Sequence, residues 1–291
     1  MDSPYKISLV ASANRPEWWI RFMNSLKGNT IPIEVVFVGN VKPTFDLSHY
    51  PNLKYIYATV KPAQCYEIAF RNATGELLAW TADDADYNAR ELNAPNSLDI
   101  AYEAWTNLDS KFGNDKKSII AMNPCEDGGF PQLKFHRLFG GWEETPTMAP
   151  FAVINRDYFV NKLGGYDRRF ISGQSENDVI MRIYEDGGRL EISLDAKLFV
   201  RHTQVHYRDP NTGKQKNDFR KWYPEDRRVL EEAWIVGGYG FYEQLNQHRN
   251  NSPETRKAVV ANISKKRLIP LERFEDTDIC TVTQSQKGQW E

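Results

Sequence analysis

Cysteine is scarce in this chain: Cys65, Cys125 and Cys280 are spread over 291 residues, and no two stand in a CxxC spacing. An odd, scattered set excludes a disulfide framework and a thiolate zinc site. Long apolar runs are missing too. None approaches the roughly 20 residues that cross a bilayer. Met1 to Pro4 leads straight into a strand with no charged and then apolar leader, so the sequence reads as a soluble, intracellular (cytoplasmic) protein with no transmembrane segment. Basic charge is not in excess: the net charge is −2 and the pI near 6.3. Without a positive field to attract a phosphate polymer, nucleic acid is not an expected partner. There is no internal repeat and no low-complexity tract.

What is present suffices for a full core, since 41% of residues are hydrophobic and 13% aromatic, enough for one large domain or a domain with an extension. The first third alternates strand and helix. Lys6 to Ala11 reads as a strand, followed by the polar turn Ser12 to Arg15 and a helix. Pro16 suits that helix's first turn, Asn14 its cap, and Trp18, Trp19, Phe22, Met23 and Leu26 its buried face, until Gly28 stops it. Ile33 to Val38 is a second strand, ending in Gly39-Asn40, and Leu53 to Ala58 a third. With a helix over Gln64 to Asn72, the order predicts an α/β, Rossmann-like, mainly parallel sheet flanked by helices.

The most informative stretch is Gly75 to Tyr87. Leu77 to Trp80 is a continuous apolar run, the pattern of a short strand buried on both faces. It gives way to Asp83, Asp84 and Asp86. Three carboxylates within four positions repel one another unless a cation or a strongly basic ligand compensates them, and ligands of open α/β sheets bind beyond the carboxyl ends of strands. A solvated acidic turn is the plainer reading, because Asp is common in turns.

Strand-Asn14-Arg15-Pro16-helix, followed by Ala73 to Trp80 running into the aspartates, resembles the family 2 glycosyltransferases of the GT-A fold. The resemblance implies a nucleotide-sugar donor, with UDP the usual nucleotide, and a diphosphate bridged to the protein by Mn²⁺ or Mg²⁺. Asp84 and Asp86 would hold the metal, with Asp83 as the alternative. Ala11, Asn14, Arg15, Asn40, Asp83 and Asp84 would line the donor site. A turn arginine in contact with solvent is the other reading of Arg15. The chain departs from the family at Gly39-Asn40 and Ala82, where acidic residues are usual.

Further on, Ser97 to Leu108 reads as a packing helix and Ser118 to Met122 as a strand. The loops at 123–129 and 140–144 read as acceptor-pocket walls or as simple connectors. Ala152 to Phe159 reads as strand into helix. Glu176 to Ile183 then starts a helix on which Asp178 and Arg182, four apart, share a face and form an ion pair worth a few tenths of a kcal/mol. Glu176, in that helix's first turn, reads as a capping carboxylate. The resemblance adds a second role, since Gly164-Gly165-Tyr166-Asp167, a loop and then an acidic pair resemble the family's acceptor-side motif. Glu176 then falls on the catalytic base, with Asp178 beside it as the second catalytic carboxylate and Ser175 in place of the first glutamate. A carboxylate that takes the acceptor's proton and a metal that neutralises the leaving group serve opposite ends of one inverting displacement.

Glu191 to Val200 gives one or two further strands. The histidines beyond them read as strand-end residues, and the resemblance makes His202, in preference to His206, a third metal ligand. Beyond Tyr207 the resemblance fades. The expected division is 1–207 as the glycosyltransferase domain, donor half to about 95 and acceptor half after it, and 208–291 as a mostly helical extension. That extension comprises a polar loop at 209–218, helices at Pro224 to Trp234, at Phe241 to Gln247 and after Ser252, and a tail from Leu268 that wraps the domain or frays. The expected partners are the donor and a sugar or glycan acceptor. Two other readings stand beside this one. A haloacid-dehalogenase-like phosphatase needs Asp-x-Asp-x-Thr or Val, which Asp84 to Asn88 does not supply. A carbohydrate-binding pseudoenzyme would account for Ala82, Gly39 and Ser175.

Overall fold

In this computed structural model the described residues are 3–88, 96–126, 145–200, 222–235, 238 and 240–275. Eight strands form one sheet: β1 (Ile7–Ser12), β2 (Ile33–Gly39), β3 (Leu53–Tyr57), β4 (Leu77–Trp80), β5 (Ala85–Asp86), β6 (Ser118–Glu126), β7 (Ala152–Asn155) and β8 (Arg189–Val200), in the order β3-β2-β1-β4-β7-β6-β8-β5. The β3-β2-β1-β4 half is wholly parallel, with Val10 opposite both Val36 and Trp80. β7 enters antiparallel between β4 and β6, while β6 and β8 run parallel. The mainly parallel α/β architecture is the one expected from the sequence.

Burial explains the sequence pattern. Every residue of β2, β4 and β7 is buried because helices cover both faces of the sheet, so these strands read as apolar runs and not as alternations. On one face lie α1 (Pro16–Ser25) and α3 (Ser97–Lys111), contributing Trp19, Phe22, Leu98 and Trp105. On the other lie α2 (Pro62–Asn72) and α4 (Ser175–Glu185), contributing Ile68, Phe70, Val179 and Ile183.

The helices α5 (Tyr223–Ala233), α6 (Phe241–Gln247) and α7 (Pro253–Ile263) join this second cluster through Leu230, Trp234, Phe241, Leu245 and Ile263. The tail wraps as far as it is described. The Leu268 N–H donates to the Ala233 carbonyl at 2.9 Å, the Arg168 N–H to the Glu272 carbonyl at 2.8 Å, and the Arg71 guanidinium to the Phe274 carbonyl at 2.6 Å. Among the described residues no helix is long and apolar enough to cross a membrane.

Four local expectations need correction. The aspartates do not form a free turn, because Ala85 and Asp86 pair antiparallel with Val200 and Phe199. β6 extends to Glu126, four residues past the expected Met122, because β8 offers it a continuous partner across a bulge at Met122/Asn123. The strand expected from Glu191 begins two residues earlier, at Arg189, and runs as a single strand to Val200. Asn14 does not cap α1, whose N-cap is Arg15 with no side-chain cap; its amide oxygen instead accepts the Asn40 N–H at 3.0 Å.

Candidate active site

Strands β1, β2 and β4 end side by side, and their loops meet on Asp83. Its Oδ2 accepts the backbone N–H groups of Asn14 at 2.9 Å and Arg15 at 2.8 Å, and the Trp19 indole N–H at 3.3 Å. Its Oδ1 accepts the Arg15 Nε–H at 2.7 Å. The carboxylate is fully buried, so these donors supply the solvation it loses. Gly39 makes the β1–β2 approach possible, since a Cβ there would stand 1.8 Å from the Ala13 carbonyl oxygen and 2.5 Å from Asn14 Oδ1. Asn14, Arg15, Asn40 and Asp83 are thus brought together as expected. Ala11 lies beneath them with its side chain in the core.

The compensating cations that the aspartates require are arginines. Arg15 donates to Asp84 from Nη1 at 2.7 Å and Nη2 at 3.0 Å, and to both oxygens of Asp83 through its backbone and side chain. Arg21, on α1, donates to Asp86 Oδ2 at 3.2 and 3.1 Å. Among the described residues no three His, Cys, Asp or Glu side chains converge as a cage for a metal ion. A hard divalent cation needs no such cage when one or two carboxylates and substrate phosphates complete its shell. Asp84 and Asp86, both nearly buried hard-oxygen donors at the strand ends, fit that arrangement; Asp83, committed to backbone, does not. His202 and His206 lie outside the described residues, as do 127–144, including the expected acceptor loop at 140–144, and 209–218.

Glu176 sits in the first turn of α4, partly accessible, with the Tyr166 hydroxyl 3.5 Å from Oε1. Desolvation raises its pKa above the ordinary carboxylate value, opposed by the helix N-terminal backbone and Tyr166. Tyr166 stands 6.1 Å, centroid to centroid, from Tyr66, whose hydroxyl donates to the Thr81 carbonyl at 2.9 Å, two residues before Asp83. The charges of Glu176, Asp83, Arg15 and Asp84 all act on Tyr66. Glu176 and the aspartates therefore stand at the two ends of the Tyr166–Tyr66 pair. Sequence reading missed Tyr66, which lies within a predicted helix, and took Tyr166 only as part of the Gly164-Gly165-Tyr166-Asp167 turn.

Asp178 has a different setting. It is fully buried; Oδ2 accepts the Arg182 Nε–H at 2.8 Å, and Oδ1 accepts the Trp234 indole at 3.0 Å and the Arg267 Nε–H at 2.9 Å. Arg267 also donates to Asp167 at 2.7 Å, and Arg182 to the Leu163 and Gly165 carbonyls, each at 2.7 Å. The i,i+4 pair is real but buried, part of a network and not a solvated face.

No protein family and no curated protein matches this sequence. Solved structures do. Superposed on the S. aureus TarS fragment 1–349 in complex with UDP, the chain gives a TM-score of 0.50 at 16% identity, over 67% of its own length and 60% of that fragment. The same TarS fragment without UDP in its description gives 0.48 at 16%, over 69% and 62%. The chain thus spans about 60% of the fragment it resembles. At such identity the likeness is one of fold alone, and that fold is of the GT-A type.

Proposed function

We propose that this chain is a divalent-metal-dependent, inverting glycosyltransferase that moves a sugar from a nucleotide-diphosphate sugar, UDP-linked, to a hydroxyl of a sugar or glycan acceptor. The observation that carries it is a juxtaposition, with arginine-bound aspartates at one end of the Tyr66–Tyr166 pair and Glu176 at the other. UDP in the structure of similar fold supports the choice of nucleotide.

On this reading Asn14, Arg15 and Asn40 meet the nucleotide, and Asp83 holds the loop that presents them. Asp84 and Asp86 hold Mn²⁺ or Mg²⁺, which when bound offsets the charge building on the departing diphosphate. Glu176 accepts the acceptor hydroxyl's proton on its carboxylate as that oxygen attacks the anomeric carbon. Its raised pKa brings it closer to neutral pH, which suits a group that must take up a proton and release it again. Asp178, with its oxygens engaged by Arg182, Trp234 and Arg267, supports α4 and does not touch substrate. A panel of nucleotide sugars, each tested for thermal stabilisation with and without Mn²⁺, tests the reading. UDP-sugars should stabilise, and only with the cation; stabilisation by none of the panel overturns it.

A further inference from the structure

Between Asp167 and the helix carrying Glu176 the chain passes through residues 171–174, and the contacts fixing this loop come from 50 to 68 residues downstream. Asp226, on α5, is fully buried. Its Oδ1 accepts the Ile171 N–H at 2.7 Å; its Oδ2 accepts the N–H groups of Ser172 at 2.9 Å and Gly173 at 2.8 Å and the Ser172 hydroxyl at 3.1 Å. Tyr223, which opens α5, packs against Gly173, where a Cβ would come within 2.8 Å of the ring. Gln174, the residue before α4, has φ 62°, a left-handed conformation that side-chain-bearing residues avoid unless their surroundings over-determine it. Here the constraint is Tyr242 on α6, whose hydroxyl donates to Gln174 Oε1. Tyr242 is itself held by the Glu231 carboxylate on its backbone N–H at 3.2 Å and by Arg227 over its ring.

The geometry points to Asp226 and Tyr242 as positioning residues for Glu176: the C-terminal helices hold loop 171–174 in a conformation it would not adopt alone, and so set where the Glu176 carboxylate stands. This rests on the reading of Glu176 as the base. Besides Asp226 and Tyr242, the titratable groups facing Glu176 are Tyr66 and Tyr166.

The test follows the Glu176 carboxyl by ¹³C NMR titration of the full chain labelled at glutamate Cδ, with the resonance assigned by its loss in E176Q. In Y242F the loop relaxes and more water reaches the carboxylate, so its midpoint falls toward the ordinary carboxylate value. Glycine adopts the left-handed conformation without help, so Q174G keeps the parent midpoint and Y242F/Q174G returns to it. D226N, which turns one acceptor into a donor facing backbone N–H groups, moves the midpoint in the same direction as Y242F. An unmoved midpoint in Y242F, or a double variant that stays shifted, overturns the proposal, and the Tyr242 and Gln174 variants decide it even if D226N fails to fold. UDP release by E176Q from UDP-glucose, UDP-galactose and UDP-N-acetylglucosamine tests the base separately. Turnover equal to the parent removes the catalytic reading and leaves the loop coupling standing. Loss of turnover with an unmoved Y242F midpoint does the reverse.

Discussion

Arg15 reaches Asp84 with two nitrogens, at 2.7 and 3.0 Å, where a nucleotide-bound cation would also seek that carboxylate. On the proposed reading the arginine and the metal would compete for one anion until the donor's phosphates took up the guanidinium. UDP should bind weakly in chelator and substantially more tightly with Mn²⁺, and both Asp84→Ala and Asp86→Ala should remove most of that difference. Calorimetry reads it directly, and equal affinity with and without the cation sinks the assignment.

Glu176→Gln keeps size and hydrogen bonding but cannot take a proton. Turnover should fall by on the order of 10²–10⁴ while cation-dependent donor affinity stays nearly unchanged. The pH profile carries a sign. Burial raises the folded pKa of Glu176, so the neutral, inactive form persists above the roughly 4.3 of a free glutamate, and the acidic limb of turnover should lie above that value. Because burial disfavours the charged form, Gln should leave the melting temperature equal to the parent's or slightly higher.

Asp178→Asn should behave in the opposite way. Its loss leaves Arg182, Arg267 and the Trp234 N–H short of a partner in a buried network, a cost on the order of 3–5 kcal/mol, or about 10 °C in melting temperature at 2–4 °C per kcal/mol. Turnover per folded molecule at low temperature should stay near the parent's. An undiminished melting temperature with lost turnover would return Asp178 to the chemistry.

The same network has an acid dependence. Burial alone would raise the Asp167 pKa, but hydrogen bonds from Arg169 and the charge of Arg267 outweigh it and hold the value below the ordinary one. Its contribution is therefore complete above the unfolded value near 3.9 and is lost as pH falls through the lower folded value. Arg267→Met should shrink the acid-side fall in stability, measured by denaturant midpoints between pH 2 and pH 5.

Gly39→Ala brings a Cβ to 1.8 Å from the Ala13 carbonyl, so the loop carrying Asn14 and Arg15 must move. UDP affinity should fall along with stability, whereas Gly113→Ala, with nothing near its Cβ, pays only for its positive φ. Parallel melting and UDP titrations of the two variants check this.

Some elements were legible because their signals are local: the β4 run Leu77 to Trp80 and the helix Phe241 to Gln247 match the structure residue for residue. The aspartate cluster was legible as a place that needs positive charge, but not that Arg15 and Arg21, 65 to 69 residues away, supply it. Asp178 looked like half of a surface pair because i,i+4 spacing is visible in sequence, and its partners Trp234 and Arg267, 56 and 89 residues on, are not. The two-residue β5 carries no periodicity, and only β8 makes it a strand.

Arg267 lies 100 residues after Asp167 and 89 after Asp178, and this separation orders events during synthesis. A nascent chain emerging amino end first presents both aspartates to solvent long before the arginine that bridges them has been made. Buried earlier, each would have only its local arginine, Arg169 or Arg182, as a charged partner. The parallel half of the sheet, whose pairs all fall within residues 7–80, can close on its own schedule. The packing around Asp167 and Asp178, which supports the helix carrying Glu176, is therefore completed only after residue 267 has been made, and so after the parallel half has had the chance to close.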